Sequence, residues 1–262
     1  MESGASPSKF VPRSLSVVDM IKLGKVINKK TTSVQIYTFD MKDMTWSGTP
    51  RIAEFTIKPE PFGVGGFRKA FKATSHNKNF EGSTWVIKKY LPKVLNDIEI
   101  IGQTVEEHTK KVVQMHYLAW NFTAKMKEEL IANGKETSFG ETFCYKKIYL
   151  GKIGDDVYVT VEELVDGTFV KYINNNGDVC GENVECLAHF SYERSQKEVM
   201  VPDIQGCGCS LFDLEIASKV IMSDDEVYLF CTGNLSINAI NNFIGKHKCN
   251  LYCQRFDLSD LQ

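Results

Sequence analysis

Long apolar runs are missing from this 262-residue chain. None approaches the roughly 18 residues that a membrane-crossing helix needs, so no membrane insertion is expected. The first residues, MESGASPSKF, lack a basic stretch leading into an apolar one, which argues against a secretory leader and for an intracellular, cytoplasmic protein. Surplus positive charge is missing too. With 31 Lys+Arg against 33 Asp+Glu the net charge is -2, too balanced for a protein that grips nucleic acid through its phosphates. There is no internal repeat and no low-complexity tract. Several catalytic signatures are also absent: no Gly-Lys-Ser/Thr opening a helix, no Gly-x-Ser-x-Gly, no His-Glu-x-x-His, and none of the His-Arg-Asp, Asp-Phe-Gly and Ala-Pro-Glu of the common protein kinases.

What is present is an ordinary globular mixture, 43% hydrophobic and 24% charged, in a length that suits one large domain or two smaller lobes. The eight cysteines of an intracellular chain are expected to be buried thiols or metal ligands rather than disulfides. Residues 1–12 are rich in Ser, Gly and Pro, and residues 1–30 are expected to be a flexible segment.

Alternation of apolar and polar residues predicts strands at Val34–Tyr37, Arg51–Ile57, Lys69–Ala73 and Thr84–Tyr90. Thr104-Val105-Glu106-Glu107 has the spacing of a capping box. Val112, Met115, Leu118, Ala119, Phe122, Met126 and Leu130 then recur at helical intervals, which predicts a long helix over 104–133 with Gly134 ending it. The second half reads as strands at Tyr145–Leu150, Val157–Val161 and Glu198–Ile204, a turn at Asn174–Asp178, and helices over 181–191 and 236–247. A strand-rich first half and a helix- and loop-rich second half indicate an α+β fold of two lobes joined near 162–168.

Four segments carry chemistry. Gly63-Val64-Gly65-Gly66 lies between two strands, where glycines permit positive φ and let backbone N–H groups approach phosphates; Arg68 follows, and a plain hairpin turn would use the same residues. Lys88 alternates with apolar neighbours in Val86-Ile87-Lys88-Lys89 and could reach a phosphate, although either lysine could be the one pointing inward. Asp203 and Gln205, two residues apart on a predicted strand, share a face and offer two hard oxygen ligands suited to Mg²⁺, with Asp213 ten residues on; a turn-capping aspartate is the competing reading. His247-x-Cys249-x₃-Cys253 supplies three zinc-competent ligands, with the fourth open among the other histidines and cysteines.

Taken in order, these segments resemble the alpha-kinases, atypical serine/threonine protein kinases. The likeness is carried by Pro61–Arg68, Val86-Ile87-Lys88, Gln114-Met115 with Trp120, Val161-Glu162-Glu163 through Gly167, Lys171-Tyr172, Ala188-His189-Phe190-Ser191-Tyr192-Glu193, Asp203-Ile204-Gln205-Gly206, Gly233-Asn234-Leu235 and the His-Cys-Cys run. It implies a two-lobed kinase-like fold at residues 31–262. The N-lobe, residues 31–164, would be strand-rich, and the C-lobe, residues 165–262, would be stabilised by zinc. It implies ATP held by Gly63, Gly65, Gly66, Arg68 and Lys88, with Glu162 and Leu164 giving backbone contacts to adenine. Asp203 and Gln205 would hold Mg²⁺, and Asp213 would orient the hydroxyl of a protein substrate. His189 would complete structural Zn²⁺ with His247, Cys249 and Cys253, and Gly233 and Asn234 would belong to a substrate loop. Two departures stand out. Phe212-Asp213-Leu214 replaces the family's Thr-Asp-Pro, and Ser236 follows Gly233-Asn234-Leu235 where the family has glycine. They leave open an alternative, a nucleotide-binding scaffold with weak or no turnover.

Overall fold

The computed structural model of the chain describes residues 16–18, 21, 24, 30–174, 176–231 and 234–261. The expectation for residues 1–12, most of that for 1–30, and that for Gly233 fall outside the described residues. Thr31–Gln262 form one compact unit, and all numbered elements lie within it.

The first half builds an antiparallel sheet from β1 (Thr32–Tyr37), β4 (Arg51–Ile57), β5 (Gly63–Val64), β6 (Arg68–Ser75), β7 (Thr84–Tyr90), β9 (Ile148–Ile153) and β10 (Val157–Glu163), in the order β4-β1-β9-β10-β7-β6-β5. Because β4 also pairs with β6, six of these strands close into a ring. The alternation read from the sequence is what fills it: Val34, Ile36, Ala53, Phe55, Ala73, Trp85, Ile87, Val159 and Val161 point inward and are nearly inaccessible, while the residues alternating with them on β7 and β10, Val86, Lys88, Thr160 and Glu162, are buried on the opposite face. A small hairpin, β2 (Phe39–Asp40) and β3 (Thr45–Trp46), sits beside the sheet.

Two helices interrupt these strands. The first, α1 (Pro92–Ile100), was not anticipated; its signal is Pro92 at the first turn, where the missing N–H costs nothing, with Val94 and Ile98 buried one turn apart. The second, α2 (Val105–Ala132), is the long predicted helix. Thr104 accepts from Glu107 N–H, and the Glu107 carboxylate accepts from Thr104 N–H at 2.9 Å, so the capping box forms in both directions. Gly134, at φ 63°, follows the C-cap Asn133 in the left-handed region that stops the helix.

The second half centres on β12 (Val199–Cys207). It pairs with β11 (Val170–Ile173), β13 (Ser210–Leu211) and β14 (Glu215–Ser218), and β13 continues to β8 (Cys144–Tyr145). Against it pack α2, α4 (Glu182–Arg194) and α5 (Ser236–Lys246), with α3 (Glu136–Phe139) and α6 (Leu251–Gln254) as short turns. Their shared core includes Phe122, Met126, Leu130, Leu187, Phe190, Ile204, Ile240 and Phe243. A two-pronged ion pair clamps α2 to α4, Arg194 donating to Glu129 at 2.8 and 2.9 Å.

Candidate active site

A cavity of about 900 Å³ opens where the two sheets face each other. Its roof is the β5–β6 hairpin, closed by Gly65 N–H donating to Arg68 O at 2.9 Å. None of Gly63, Gly65 and Gly66 uses the positive φ that glycine permits, and a Cβ at any of them would meet nothing closer than 3.8 Å. What their bare surface does is leave the backbone of the roof open to the cavity.

Strand alternation settles which lysine points in. On β7, Lys88 lies opposite Ala70 and Thr160, is 8% exposed, and faces the cavity. Lys89 takes the other face, its ammonium 5.4 Å from the Phe71 ring centre. Lys88 Nζ lies 2.9 Å from Glu162 Oε2 and 2.8 Å from Asp213 Oδ1. Arg68, at the start of β6, reaches the same Asp213 oxygen at 3.1 Å and donates to Thr160 Oγ1 at 3.2 Å, and the Thr160 hydroxyl donates to Glu162 Oε1 at 2.7 Å. Burial would raise the pKa of both carboxyls, but Lys88 and Arg68 outweigh it and hold Glu162 and Asp213 below the usual carboxylate range. Asp213 keeps this place with a left-handed backbone, φ 52°, the kind of conformation that concentrates at functional sites.

The floor comes from β12. Asp203 and Gln205 share its inward face as the i, i+2 spacing predicts, and both line the cavity. Gln205 Nε2 donates to the Asp213 carbonyl at 2.7 Å, fixing the loop that carries Asp213. Gly206 is required by a close approach: a Cβ there would lie 2.3 Å from Ser210 O, because β13 crosses directly over it. Two charged neighbours were missed by sequence reasoning. Lys171 on β11, paired in register with Gln205, forms an ion pair with Asp203 and donates to Gln205 Oε1 at 3.2 Å. Glu215 on β14, in register with Asp203, also lines the cavity; burial first, then Asp203, push its carboxyl up to about 7. The signal for both was alternation, Lys171 within a short strand and Glu215 two residues after Asp213.

Glu162 and Leu164 line the cavity where the sequence placed the adenine contacts, yet the Leu164 N–H already donates to Thr84 O at 2.9 Å. The Glu162 side chain serves as the carboxylate partner of Lys88. Asn234 ties its loop to β14, its amide donating to Ser218 Oγ at 2.7 Å and its oxygen accepting from Ser236 N–H at 3.0 Å.

Away from the cavity, His189, His247, Cys249 and Cys253 bring one ligand atom each to within 4.8 Å of one another. His247 Nε2 lies 3.0 Å from His189 Nδ1, Cys249 Sγ 3.7 Å from His189 Nδ1, and Cys253 Sγ 3.7 Å from His247 Nε2. These approximate the edges of a tetrahedron with Zn–N near 2.0 Å and Zn–S near 2.3 Å, roughly 3.3–3.8 Å. Glu185 Oε1, 2.8 Å from His247 Nδ1, orients that ring as an outer carboxylate does for a metal-bound histidine. A hydrogen bond with Cys186, helped by both histidines against the opposing effect of burial, lowers the Cys253 thiol to about 3, favouring the thiolate that binds metal. The four residues fit zinc.

Residues 63–253 match the alpha-kinase family. The chain belongs to that family. It is 31% identical over 253 residues to transient receptor potential cation channel subfamily M member 7 of Rattus norvegicus, covering 90% of this chain and 13% of that protein. It is 26% identical over 221 residues to myosin heavy chain kinase B of Dictyostelium discoideum, covering 82% of this chain and 27% of that one. The chain thus spans a small part of the length of these relatives. Its fold is that of solved alpha-kinase domains: that of myosin-II heavy chain kinase A in complex with AMP-PNP aligns with a TM-score of 0.74 at 20% identity, over 90% of this chain and 98% of that one. The same domain in complex with ADP gives 0.72. Among the described residues no helix is long and apolar enough to cross a membrane. Membership of the alpha-kinase family supports a protein-kinase function.

Proposed function

We propose that residues 31–262 are a protein serine/threonine kinase domain that moves the γ-phosphoryl group of Mg-ATP to a hydroxyl of a protein. The observation that carries this reading is the meeting, in one cavity under a glycine-bearing hairpin, of two cationic side chains with Asp203, Gln205 and Asp213. Lys88 and Arg68 bind phosphate oxygens, and the roof backbone adds N–H donors. Asp203 and Gln205 hold Mg²⁺. Their oxygens already share the Lys171 ammonium, so the pair tolerates a positive charge between them. The ion, when bound, neutralises charge on the transferring phosphoryl group.

With the cavity free of nucleotide, Asp213 neutralises Lys88 and Arg68. Phosphates compete for those same cations and leave the Asp213 carboxylate to orient the acceptor hydroxyl. Glu162 holds Lys88 by its side chain, and together with the Leu164 backbone it faces the adenine. Asn234 braces a loop that would lie beside the acceptor. Zinc held by His189, His247, Cys249 and Cys253 contributes folding free energy to the C-lobe rather than chemistry, since four protein ligands leave no open position.

Incubating the chain with labelled ATP, Mg²⁺ and a Thr-containing peptide tests the reading. Wild type incorporates label, and Asp203→Ala reduces turnover by at least about 100-fold. Equal incorporation by the two would refute the assigned roles, and nucleotide binding without transfer would favour the scaffold.

A further inference from the structure

The kinase reading leaves one exposed element without a role. After β14 the chain runs out and back as a hairpin over residues 220–229. Ser223 N–H donates to Val227 O at 2.9 Å and Leu229 N–H to Ile221 O at 2.9 Å, with Met222 bridged to Tyr228. That register puts Ile221, Val227 and Leu229 on one face. They are 39%, 53% and 41% exposed, and Val220 and Met222 are similarly open on the other face. Large apolar side chains gathered in water in this way mark interaction surfaces.

The turn adds charge. Glu226 N–H donates to Ser223 O at 3.0 Å, and Glu226 itself sits at φ 59°. This is the three-residue hairpin loop whose last position favours glycine. An L-residue there is strained, and such strain at an exposed tip points toward function. Asp224 and Asp225 precede it, and no Lys or Arg occurs from residue 220 to 245. The hairpin is also continuous with the rim of the site: Cys231, two residues beyond Leu229, lines the cavity, and Lys111 of α2 anchors the arm by donating to Tyr228 O.

We propose that hairpin 220–229 is a docking arm for the phosphoacceptor protein and binds a segment that combines Lys or Arg with apolar side chains. The assignment of the occupant rests on the kinase reading. The acidic tip selects the basic residues and the Ile221–Val227–Leu229 face takes the apolar ones, so recognition is spread along a stretch of acceptor outside the cavity.

The experiment uses a labelled peptide of mixed Lys and Leu with Ala at the acceptor position, followed by fluorescence anisotropy on the whole chain. Because this peptide has no hydroxyl to accept phosphate, the readout is independent of turnover. Asp224→Lys with Asp225→Lys weakens binding by about tenfold. Glu226→Gly, which relieves the backbone and keeps the hairpin, weakens it by roughly threefold. Val227→Ser with Leu229→Ser also weakens it, and nucleotide titrations are unchanged in all three variants. With Thr restored, KM for the peptide rises and kcat does not change. Equal affinity in wild type and variants overturns the proposal. So does tighter binding of a peptide with Glu in place of Lys, or a wild-type dimer that Val227→Ser with Leu229→Ser abolishes, which would make the occupant a second copy. If the Ala peptide binds through the arm and the Thr peptide is never phosphorylated, the kinase reading fails and the surface stands. If the variants phosphorylate the Thr peptide with unchanged KM, the arm fails and the kinase reading stands.

Discussion

Replacing Lys88 by Met removes the cation that faces two carboxylates while keeping most of the side-chain volume. Glu162 is the group left exposed to the loss: it is 7% exposed, and Lys88 lies 2.9 Å from it. Breaking a buried pair from one side costs about 3–5 kcal/mol. The lower end applies, because Thr160 still donates to Glu162 at 2.7 Å and Arg68 Nη1 stays 3.8 Å away. A loss of about 3 kcal/mol in a domain of this size lowers the melting temperature by roughly 6–12 °C. The loss depends on pH. Glu162 has its folded pKa depressed, so its ion pair stabilises the protein above the unfolded value of about 4.3 and is lost as pH falls through that value toward the folded one. Wild type therefore loses stability on acidification below about pH 4.3 more steeply than Lys88→Met. Lys89→Met is the control. Its ammonium lies over Phe71 on the other face, and the change stays within about 1 kcal/mol. Thermal melts of the three proteins from pH 3.5 to 7.5 decide the matter. A Lys88→Met protein as stable as wild type, or a Lys89→Met protein that suffers more, would refute the assignment of Lys88 as the inward lysine.

Gly206→Ala forces a Cβ to within 2.3 Å of Ser210 O and 3.1 Å of Leu211 Cα, both backbone atoms, and should cost about 3 kcal/mol in denaturant unfolding; an unchanged midpoint would contradict the close approach. Glu215 has its folded pKa raised to about 7, so it stabilises the fold below the unfolded value of about 4.3, and that contribution is lost as pH rises through about 7. Glu215→Gln should accordingly match wild type at pH 4 and melt higher at pH 8.5, whereas parallel melting curves at both pH values would count against the buried position. A strong zinc chelator, or Cys253→Ser, should unfold the helices packed around Phe190 and Phe243 and expose their core to a hydrophobic dye, with Cys207→Ser as an unaffected control; chelation that leaves the melt unchanged would remove zinc from the account.

The elements legible in the sequence were those in which one local rule dominates. Period-2 alternation placed β4 and β7, and Thr104 with Glu107 placed the start of α2. The i, i+2 spacing was enough to set Asp203 and Gln205 on one face. The rest depended on long-range pairing. Lys171 meets Asp203 only because β11 lies beside β12, and Arg68 meets Asp213 across 145 positions of sequence. Nothing local distinguished Lys88 from Lys89 until β6 and β10 closed on either side of β7. The roof glycines do not use the positive φ that their residue type allows. Hairpin 220–229 stayed hidden because its apolar residues face water, against the rule by which strands are read.

The central claim is that Lys88, Asp203 and Gln205 form one site for a metal-bound triphosphate. Its most direct measurement is calorimetric titration of a non-hydrolysable ATP analogue with and without Mg²⁺, in wild type, Gln205→Ala and Lys88→Met. The account predicts binding that Mg²⁺ tightens in wild type, little Mg²⁺ effect in Gln205→Ala, and weak binding in Lys88→Met under both conditions. The same affinity and the same Mg²⁺ dependence in all three proteins would contradict it.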